Sequence, residues 1–235
     1  MFDMAKLKAL AEPFFTLDDT AAERLSIYGK TLLSWNEKMN LTAITEPDEV
    51  LIKHFYDCLL FLKNVEIPQN ARIIDVGTGA GFPGVVLKIA RPDINLTLLD
   101  SLNKRITFLD EVLVSIGLTA TTVHGRAEEI AKKAGHREGY DIACARAVAR
   151  LNMLSEYCMP YVKTGGLFVS MKGAAVNEEE KEARKAITLL GGQTERIVKE
   201  NLPDGSQRGF VIIKKISQTS TKYPRNSGKI SKQPL

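Results

Sequence analysis

The sequence predicts an α/β protein: a seven-stranded, mostly parallel sheet with one late antiparallel strand and a helical N-terminal extension. Three observations carry that prediction. First, Arg72-Ile-Ile-Asp-Val-Gly-Thr-Gly-Ala-Gly-Phe-Pro-Gly84 reads as a buried strand end, a tight glycine loop and a helix start. Second, strand-like apolar runs alternate with helical stretches from Ala71 onward, the pattern of parallel strands joined by right-handed crossovers. Third, the last two runs are separated by Asn201-Leu-Pro-Asp-Gly-Ser-Gln207, which is loop chemistry, so a hairpin replaces the final crossover.

Residues 1–66 read as helical. Asp18 is placed to cap a helix carrying Leu25, Tyr28, Leu32, Trp35 and Met39 at spacings of three and four. Thr45-Glu-Pro-Asp48 then resembles a capping box, with Thr45 as N-cap and Pro47 in the first turn. The helix it opens carries Val50, His54, Phe55, Cys58, Leu59 and Leu62 on one face. His54 reads either as a hydrogen-bonded histidine beside the core or as a site residue.

Strands are expected at Arg72–Val76, Asn95–Leu99, Ala120–His124, Asp141–Ala145, Gly166–Met171, Thr194–Val198 and Phe210–Lys214. Helical stretches fall between the first five, at Pro83–Ala90, Lys104–Ile116 and Val148–Tyr161 among others. Pro83 suits a first helical turn, where its missing N–H costs nothing. After Lys215 nothing periodic remains.

Composition narrows the class. With 235 residues and 44% hydrophobic content, the chain is long and apolar enough for a full core. No apolar run approaches the ~18 residues of a membrane span, and the N-terminal residues lack a secretory pattern, so a cytoplasmic protein is expected. Cys58, Cys144 and Cys158 form no CxxC pair and read as buried free thiols. Net charge is +4, unevenly placed: six basic residues and no acid lie between Lys214 and Leu235. The remainder carries 26 basic against 28 acidic residues. Residues 216–235 therefore read as a basic flexible tail, with RNA phosphates a possible use.

The glycine loop contains two overlapping motifs. Gly77, Gly79 and Gly81 give GxGxG; Gly79, Gly81 and Gly84 give GxGxxG, the dinucleotide fingerprint. Counted from Gly77, the glycine nearest the strand, a dinucleotide loop needs glycine where Phe82 stands. Asp75, at the carboxyl edge of the first strand, opposes a pyrophosphate but suits a ligand bearing an amino group and a sulfonium. Asp100 ends the second strand, where an acid can take both ribose hydroxyls. The sulfonium cofactor S-adenosylmethionine is favoured.

With these residues the chain resembles the Rossmann-like class I S-adenosylmethionine-dependent methyltransferases. It is similar above all to the bacterial 16S rRNA (guanine-N7) methyltransferase family, RsmG or GidB. The resemblance rests on Trp35-Asn-Glu-Lys-Met-Asn-Leu-Thr42, His54-Phe-Tyr-Asp57, the glycine loop, Leu99-Asp-Ser101, Gly125-Arg-Ala-Glu-Glu129, Ala145-Arg-Ala-Val148 and Lys172-Gly173. It covers about Leu25 to Lys214. It implies that Asp75, Gly77, Gly79 and Phe82 form the cofactor loop and that Asp100, Ser101 and Leu102 hold the ribose and adenosine. Ala127 and Glu128 would border the adenine, and Arg146 would lie between cofactor and substrate. It also implies 16S rRNA or the small ribosomal subunit as partner; no membrane or obligate protein partner is evident. Residues 1–66 would cap the pocket of a domain spanning 67–215.

Guanine N7 presents a lone pair in the ring plane, so attack on a sulfonium methyl needs no general base. The fourth strand accordingly ends in Ala143-Cys-Ala-Arg-Ala147, not in the Asn/Asp-Pro-Pro-aromatic tetrapeptide that methylates exocyclic amines. Cys144 is mid-strand and reads as core. Arg146, Arg126 and Lys172 are positioned for phosphate or guanine O6, and His54 and Asn40 reach the pocket from the helical part. Two alternatives remain open: a ribose 2′-O methyltransferase, for which Lys172 lacks a partner because Asp141 begins its strand, and a non-catalytic RNA- or nucleotide-binding protein.

Overall fold

The computed structural model describes residues 2–235. Four helical segments come first: α1 (Met4–Ala11), α2 (Asp19–Asn36), α3 (Pro47–Val50) and α4 (Asp57–Asn64), the last two joined by a π-helical turn at Leu51–Tyr56. Asp18 caps α2 by accepting from the Ala21 N–H. Thr45 does not cap α3: Glu46 occupies that position without a side-chain hydrogen bond, and Pro47 supplies the preset φ instead.

The sheet domain runs β1 (Arg72–Val76), α5 (Gly84–Ala90), β2 (Asn95–Asp100), α6 (Asn103–Ser115), β3 (Thr121–His124), α7 (Ala127–Ile130), β4 (Tyr140–Arg146), α8 (Leu151–Cys158), β5 (Val162–Lys172), α9 (Val176–Leu189), β6 (Gly192–Asn201) and β7 (Gln207–Lys215). Strand order is β3-β2-β1-β4-β5-β7-β6. β7 alone runs antiparallel, inserted between β5 and β6 through the hairpin at 202–206. Seven strands and one reversal agree with the sequence. The crossover helix α9 was not anticipated; it carries β6 to the sheet edge so that β7 can return beside β5. Helix α8 starts at Leu151, not Val148, because Arg150 takes an extended ψ of 150° that a helix cannot contain.

Alternation along the strands sends side chains to two cores. Ile73, Leu98, Ile142 and Val169 face one side, where Leu7, Leu25, Tyr28, Leu32, Phe55 and Leu59 of the N-terminal helices join α5 and α6. Ile74, Leu99, Ala143 and Phe168 face the other side, against α8 and α9. Each fully buried Leu, Ile or Phe contributes about 1.5–3 kcal/mol. All three cysteines are buried and free.

The flexible tail is a misreading that the structure corrects. Residues 216–235 pack back on the domain and end in α10 (Ser227–Lys232), capped by Asn226. Tyr223 and Ile230 are buried in this segment. Arg225 forks onto the buried Glu156 of α8, with Nη2–Oε2 at 2.6 Å. Lys215 is buried as well, donating to Met159 O and Thr219 Oγ1, and burial lowers its pKa to about 8. Two of the six cations counted toward a free basic tail are thus structural. Single apolar residues among polar ones, without helical period, left this docking invisible in the sequence.

Among the described residues no helix is long and apolar enough to cross a membrane.

Candidate active site

Two cavities lie side by side at the carboxyl ends of the strands, where β1 sits between β2 and β4 and the connections change direction. The first has a volume of about 600 Å³ and the second about 580 Å³, and they share His54 and the backbone from Arg146 to Ala149. Both fall in the ~300–1,000 Å³ range of small-molecule sites.

The glycine loop forms the floor of the first cavity. The N–H groups of Gly77 and Thr78 both donate to Leu99 O, at 2.8 and 3.0 Å, tying the loop to the end of β2. Tyr28 donates its hydroxyl to Ala80 O from the N-terminal core. Gly79 adopts φ +61°, and a Cβ built there meets nothing nearer than 4.0 Å, so its bare backbone faces open space where a ligand can lie.

Asp75 does not face that space, contrary to the reading from sequence. It is fully buried beneath the loop, where Oδ2 accepts from Thr78 Oγ1 at 2.7 Å and from the Gly84 N–H at 2.9 Å. A Cβ on Gly84 would stand 2.8 Å from that oxygen, so glycine there is what admits the carboxylate. Oδ1 has no hydrogen-bond partner among the described residues. Burial pushes the Asp75 pKa up to about 6, against the opposing pull of the Thr78 and Gly84 hydrogen bonds. The acid shapes the loop from below; it is not on the cavity wall.

Asp100 is on the wall. Its Oδ2 accepts from Gly79 N at 2.9 Å and from Arg105 at 3.2 Å, and Oδ1 accepts from Leu102 N at 2.9 Å. Ser101, Ala127, the buried Glu128 and the exposed Arg126 line the same cavity, as do Gly77, Gly79 and Phe82. Leu102 takes part only through its N–H; its side chain is 53% exposed and lies outside the lining. Asn40 is exposed and lines neither cavity, although its neighbours Leu41 and Thr42 line the first. Ser231 of α10 also reaches this wall.

Between the cavities stands a stack. The His54 ring lies 4.5 Å from the Phe82 ring at 28°, and the Arg146 guanidinium sits 4.8 Å above the same ring. Arg146 donates to Lys53 O at 3.1 Å, to Asp57 Oδ2 at 2.9 Å and to His54 Nδ1 at 3.1 Å. Burial, then the Arg146 charge, lowers the His54 pKa to about 3. The neutral ring therefore accepts at Nδ1 and donates from Nε2 to Thr42 Oγ1, 2.9 Å away. His54 is at once a core-side histidine and part of the wall. The π-helical turn that carries it is a device often found at functional sites. Ala147, strained at positive φ, follows Arg146 on the shared wall.

Lys172 is at the far side of the second cavity, donating to Ala149 O and paired with Glu179 of α9 at 2.8 Å. Asp141, at the other end of its strand, pairs with Lys163. Sequence reasoning missed Thr78, Asp57, Arg105, Glu179 and Arg208. Thr78 had a signal as the one polar residue inside the glycine loop. Asp57 was part of a quoted motif without a role. Arg208 had none, because only the fold brings β7 beside α4.

The profile of the family described as rRNA small subunit methyltransferase G, GidB, matches residues 21–210. The chain belongs to this family. It is 50% identical over 232 residues to the ribosomal RNA small subunit methyltransferase G of Desulforamulus reducens, covering 97% of this chain and 96% of that one. The Clostridium kluyveri protein of the same name is 50% identical over 209 residues, 88% of each chain. Among solved structures, a SAM-dependent methyltransferase from Aquifex aeolicus aligns with TM-score 0.53 at 16% identity, covering 77% of this chain and 97% of that one. TrmN from Thermus thermophilus aligns with TM-score 0.54 at 15% identity, covering 71% and 53%. These two likenesses concern the fold. The GidB profile ends before the C-terminal segment that reaches the first cavity. As a member of the family the protein is an enzyme, a methyltransferase, which sets aside the non-catalytic reading.

Proposed function

We propose that this methyltransferase transfers a methyl group from S-adenosylmethionine to N7 of a guanosine in 16S rRNA. The observation that carries the reading is the pair of adjoining cavities, one floored by bare backbone and walled by Asp100, the other walled mainly by cations. The donor set suits the cofactor: open backbone at Gly79, a carboxylate at the end of β2 for ribose hydroxyls, and Glu128 at the adenine end. When bound, S-adenosylmethionine supplies an electrophilic methyl on a sulfonium.

The residues around it position rather than move protons. His54 has a pKa of about 3 and its Nδ1 lone pair faces Arg146, so it takes no proton from an acceptor. N7 needs none taken, and proximity and orientation can provide up to ~7–11 kcal/mol of the acceleration. Lys53, Arg146, Arg150, Lys172 and Arg208 bring five cations to the second cavity, each paired with a carboxylate that a phosphate or a guanine O6 would have to share or displace. A groove between α2 and α6, with Lys30, Lys38, Lys104 and Trp35 on its walls, offers further contacts for RNA beside the cleft.

One feature favours the ribose 2′-O alternative: Lys172 does have a carboxylate, Glu179. Its ammonium is, however, already engaged by Glu179 and Ala149 O. Incubating the protein with a 16S rRNA transcript and labelled cofactor decides. An N7 product is cleaved by borohydride and aniline at one guanosine; a product resistant to that treatment and to alkali is the ribose methylation. Tight NAD binding in calorimetry, without S-adenosylmethionine binding, would refute both.

A further inference from the structure

N7 is present on every purine, so a site for N7 does not by itself choose guanine. Guanine differs from adenine in accepting at O6 and donating from N1–H and the 2-amino group. Reading those donors requires an acceptor, yet the second cavity is walled mainly by donors. Its carboxylates are Glu179 and Asp57. Glu179 Oε2 is engaged by Lys172 at 2.8 Å and by the Leu151 N–H at 3.0 Å, and its side chain is 20% exposed, so its other oxygen is open to solvent rather than buried bare. Asp57, the first residue of α4, is 2% exposed, and its Oδ2 accepts from Arg146 at 2.9 Å. Its Oδ1 is buried and accepts no hydrogen bond among the described residues. Arg208 Nε stands 3.4 Å from Oδ1, close enough for an ion pair and misaligned for a hydrogen bond.

A buried carboxylate oxygen left without a hydrogen bond is unusual and asks for a partner. The group that covers it is informative. Arg208 offers Oδ1 only its Nε, and Arg146 holds Oδ2 through Nη1, whereas the N1–H/2-amino edge of guanine presents two parallel N–H donors that can complete the bare Oδ1. We propose that Asp57 is the specificity-determining acceptor for the N1–H and 2-amino group of the target guanine, with Arg208 covering it until the base enters. This rests on the guanine-N7 reading above. Arg208 is able to leave: its side chain is 24% exposed, and it extends from the second residue of β7 at the mouth of the hairpin. Adenine would bring the N1 lone pair against the carboxylate and be rejected.

The test uses the full-length enzyme and 16S rRNA transcript, with GMP, IMP and AMP as competing inhibitors of methyl transfer. IMP keeps N1–H and O6 and lacks only the 2-amino group. The wild type is expected to bind GMP about tenfold more tightly than IMP, and IMP more tightly than AMP. In Asp57→Asn the GMP-over-IMP preference should fall to within about twofold, and XMP, which has an acceptor oxygen at C2, should gain relative to GMP. Arg208→Ala should keep or raise the GMP-over-IMP ratio. A wild type indifferent to the 2-amino group, an Asp57→Asn enzyme weakened equally toward all four nucleotides, or loss of the ratio in Arg208→Ala would each overturn the assignment. Should Asp57→Asn fail to fold, the wild-type series and Arg208→Ala still decide. Failure of the underlying reading looks different: the wild-type product would then not be N7-methylguanosine.

Discussion

The two halves of the cleft are built by opposite means. The half proposed for the cofactor is built largely from one stretch of backbone: residues 75–102 form a strand, a loop, a helix and the next strand end, held by hydrogen bonds within that single stretch. The base half is a side-chain structure, in which Asp57, Arg146, Lys172, Glu179 and Arg208 come from five elements and hold one another by charge. Each half buries one carboxylate with a bare oxygen, Asp75 in the first and Asp57 in the second. Their surroundings differ. Asp75 is held by a hydroxyl and an amide, neutral donors that hold a carboxyl and a carboxamide oxygen alike. Asp57 is held by two guanidinium groups, which require its charge.

The comparison makes its largest prediction at Arg146. Replacing it with alanine leaves Asp57 buried against Arg208 alone, at 3.4 Å. Breaking a buried ion pair in this way costs about 3–5 kcal/mol. Denaturant unfolding of Arg146→Ala should show that loss, and Arg146→Lys should restore only part, because an ammonium cannot reach Asp57, His54 and Lys53 O together. A loss below ~1 kcal/mol in the alanine variant would mean that the base half does not depend on paired charge.

At Asp75 the sign should reverse. The folded-state pKa, raised to about 6, means that folding disfavours the charged form. Stability is therefore greatest below the unfolded carboxylate pKa and declines as pH rises through about 6, with a plateau above. Asp75→Asn keeps an acceptor for Thr78 and Gly84 and removes that decline. A shift of roughly two units at ~1.4 kcal/mol each predicts a gain of about 2–3 kcal/mol at pH 8 and almost none at pH 4. Asp75→Ala, which strands both donors, should instead destabilise by ~1–3 kcal/mol per orphaned group and weaken S-adenosylmethionine binding. If Asn destabilises as much as Ala at pH 8, the charge is needed and the two halves are alike after all.

The same difference explains what could be read in advance. The lining of the first cavity was legible because its determinants are local: the spacing of Gly77, Gly79 and Phe82, and Asp100 at the end of β2. Even there the direction of Asp75 was not, since a residue at a strand end can face up to a ligand or down under a loop. The base half was legible only in part. Arg146 and Lys172 announce themselves at strand ends, but Asp57 and Arg208 are 151 positions apart and meet only because β7 inserts between β5 and β6. The packed C-terminal segment escaped for a similar reason: Tyr223, Arg225 and Ile230 find their partners on distant elements.

His54, on the boundary, should give an effect that is absent at neutral pH and grows only under acid conditions. Its pKa, depressed from 6.5 to about 3, means that the unfolded chain takes up a proton the folded protein refuses. Stability contributed by the neutral ring is complete above about pH 6.5 and is lost as pH falls, by at most ~1.4 kcal/mol per unit. His54→Gln should flatten that slope between pH 6.5 and 4 in unfolding measurements. The wild-type rate of methyl transfer should show no inflection near 6.5 attributable to this residue.

The smallest expected effects mark where the cofactor half ends. Leu102 and Asn40 were candidates from sequence, and both side chains lie outside the cavity walls. Leu102→Ala keeps the N–H that donates to Asp100 Oδ1, so a backbone-built site should not notice it. Surface changes of this kind stay within about 0.5 kcal/mol. Leu102→Ala and Asn40→Ala should therefore bind S-adenosylmethionine within about twofold of wild type by calorimetry. The same truncation at Asp100 removes the acceptor for Gly79 N, Leu102 N and Arg105 at once and should abolish measurable binding. A Leu102→Ala variant that binds tenfold more weakly would show that the Leu102 side chain, and not only its N–H, helps to build this end of the site.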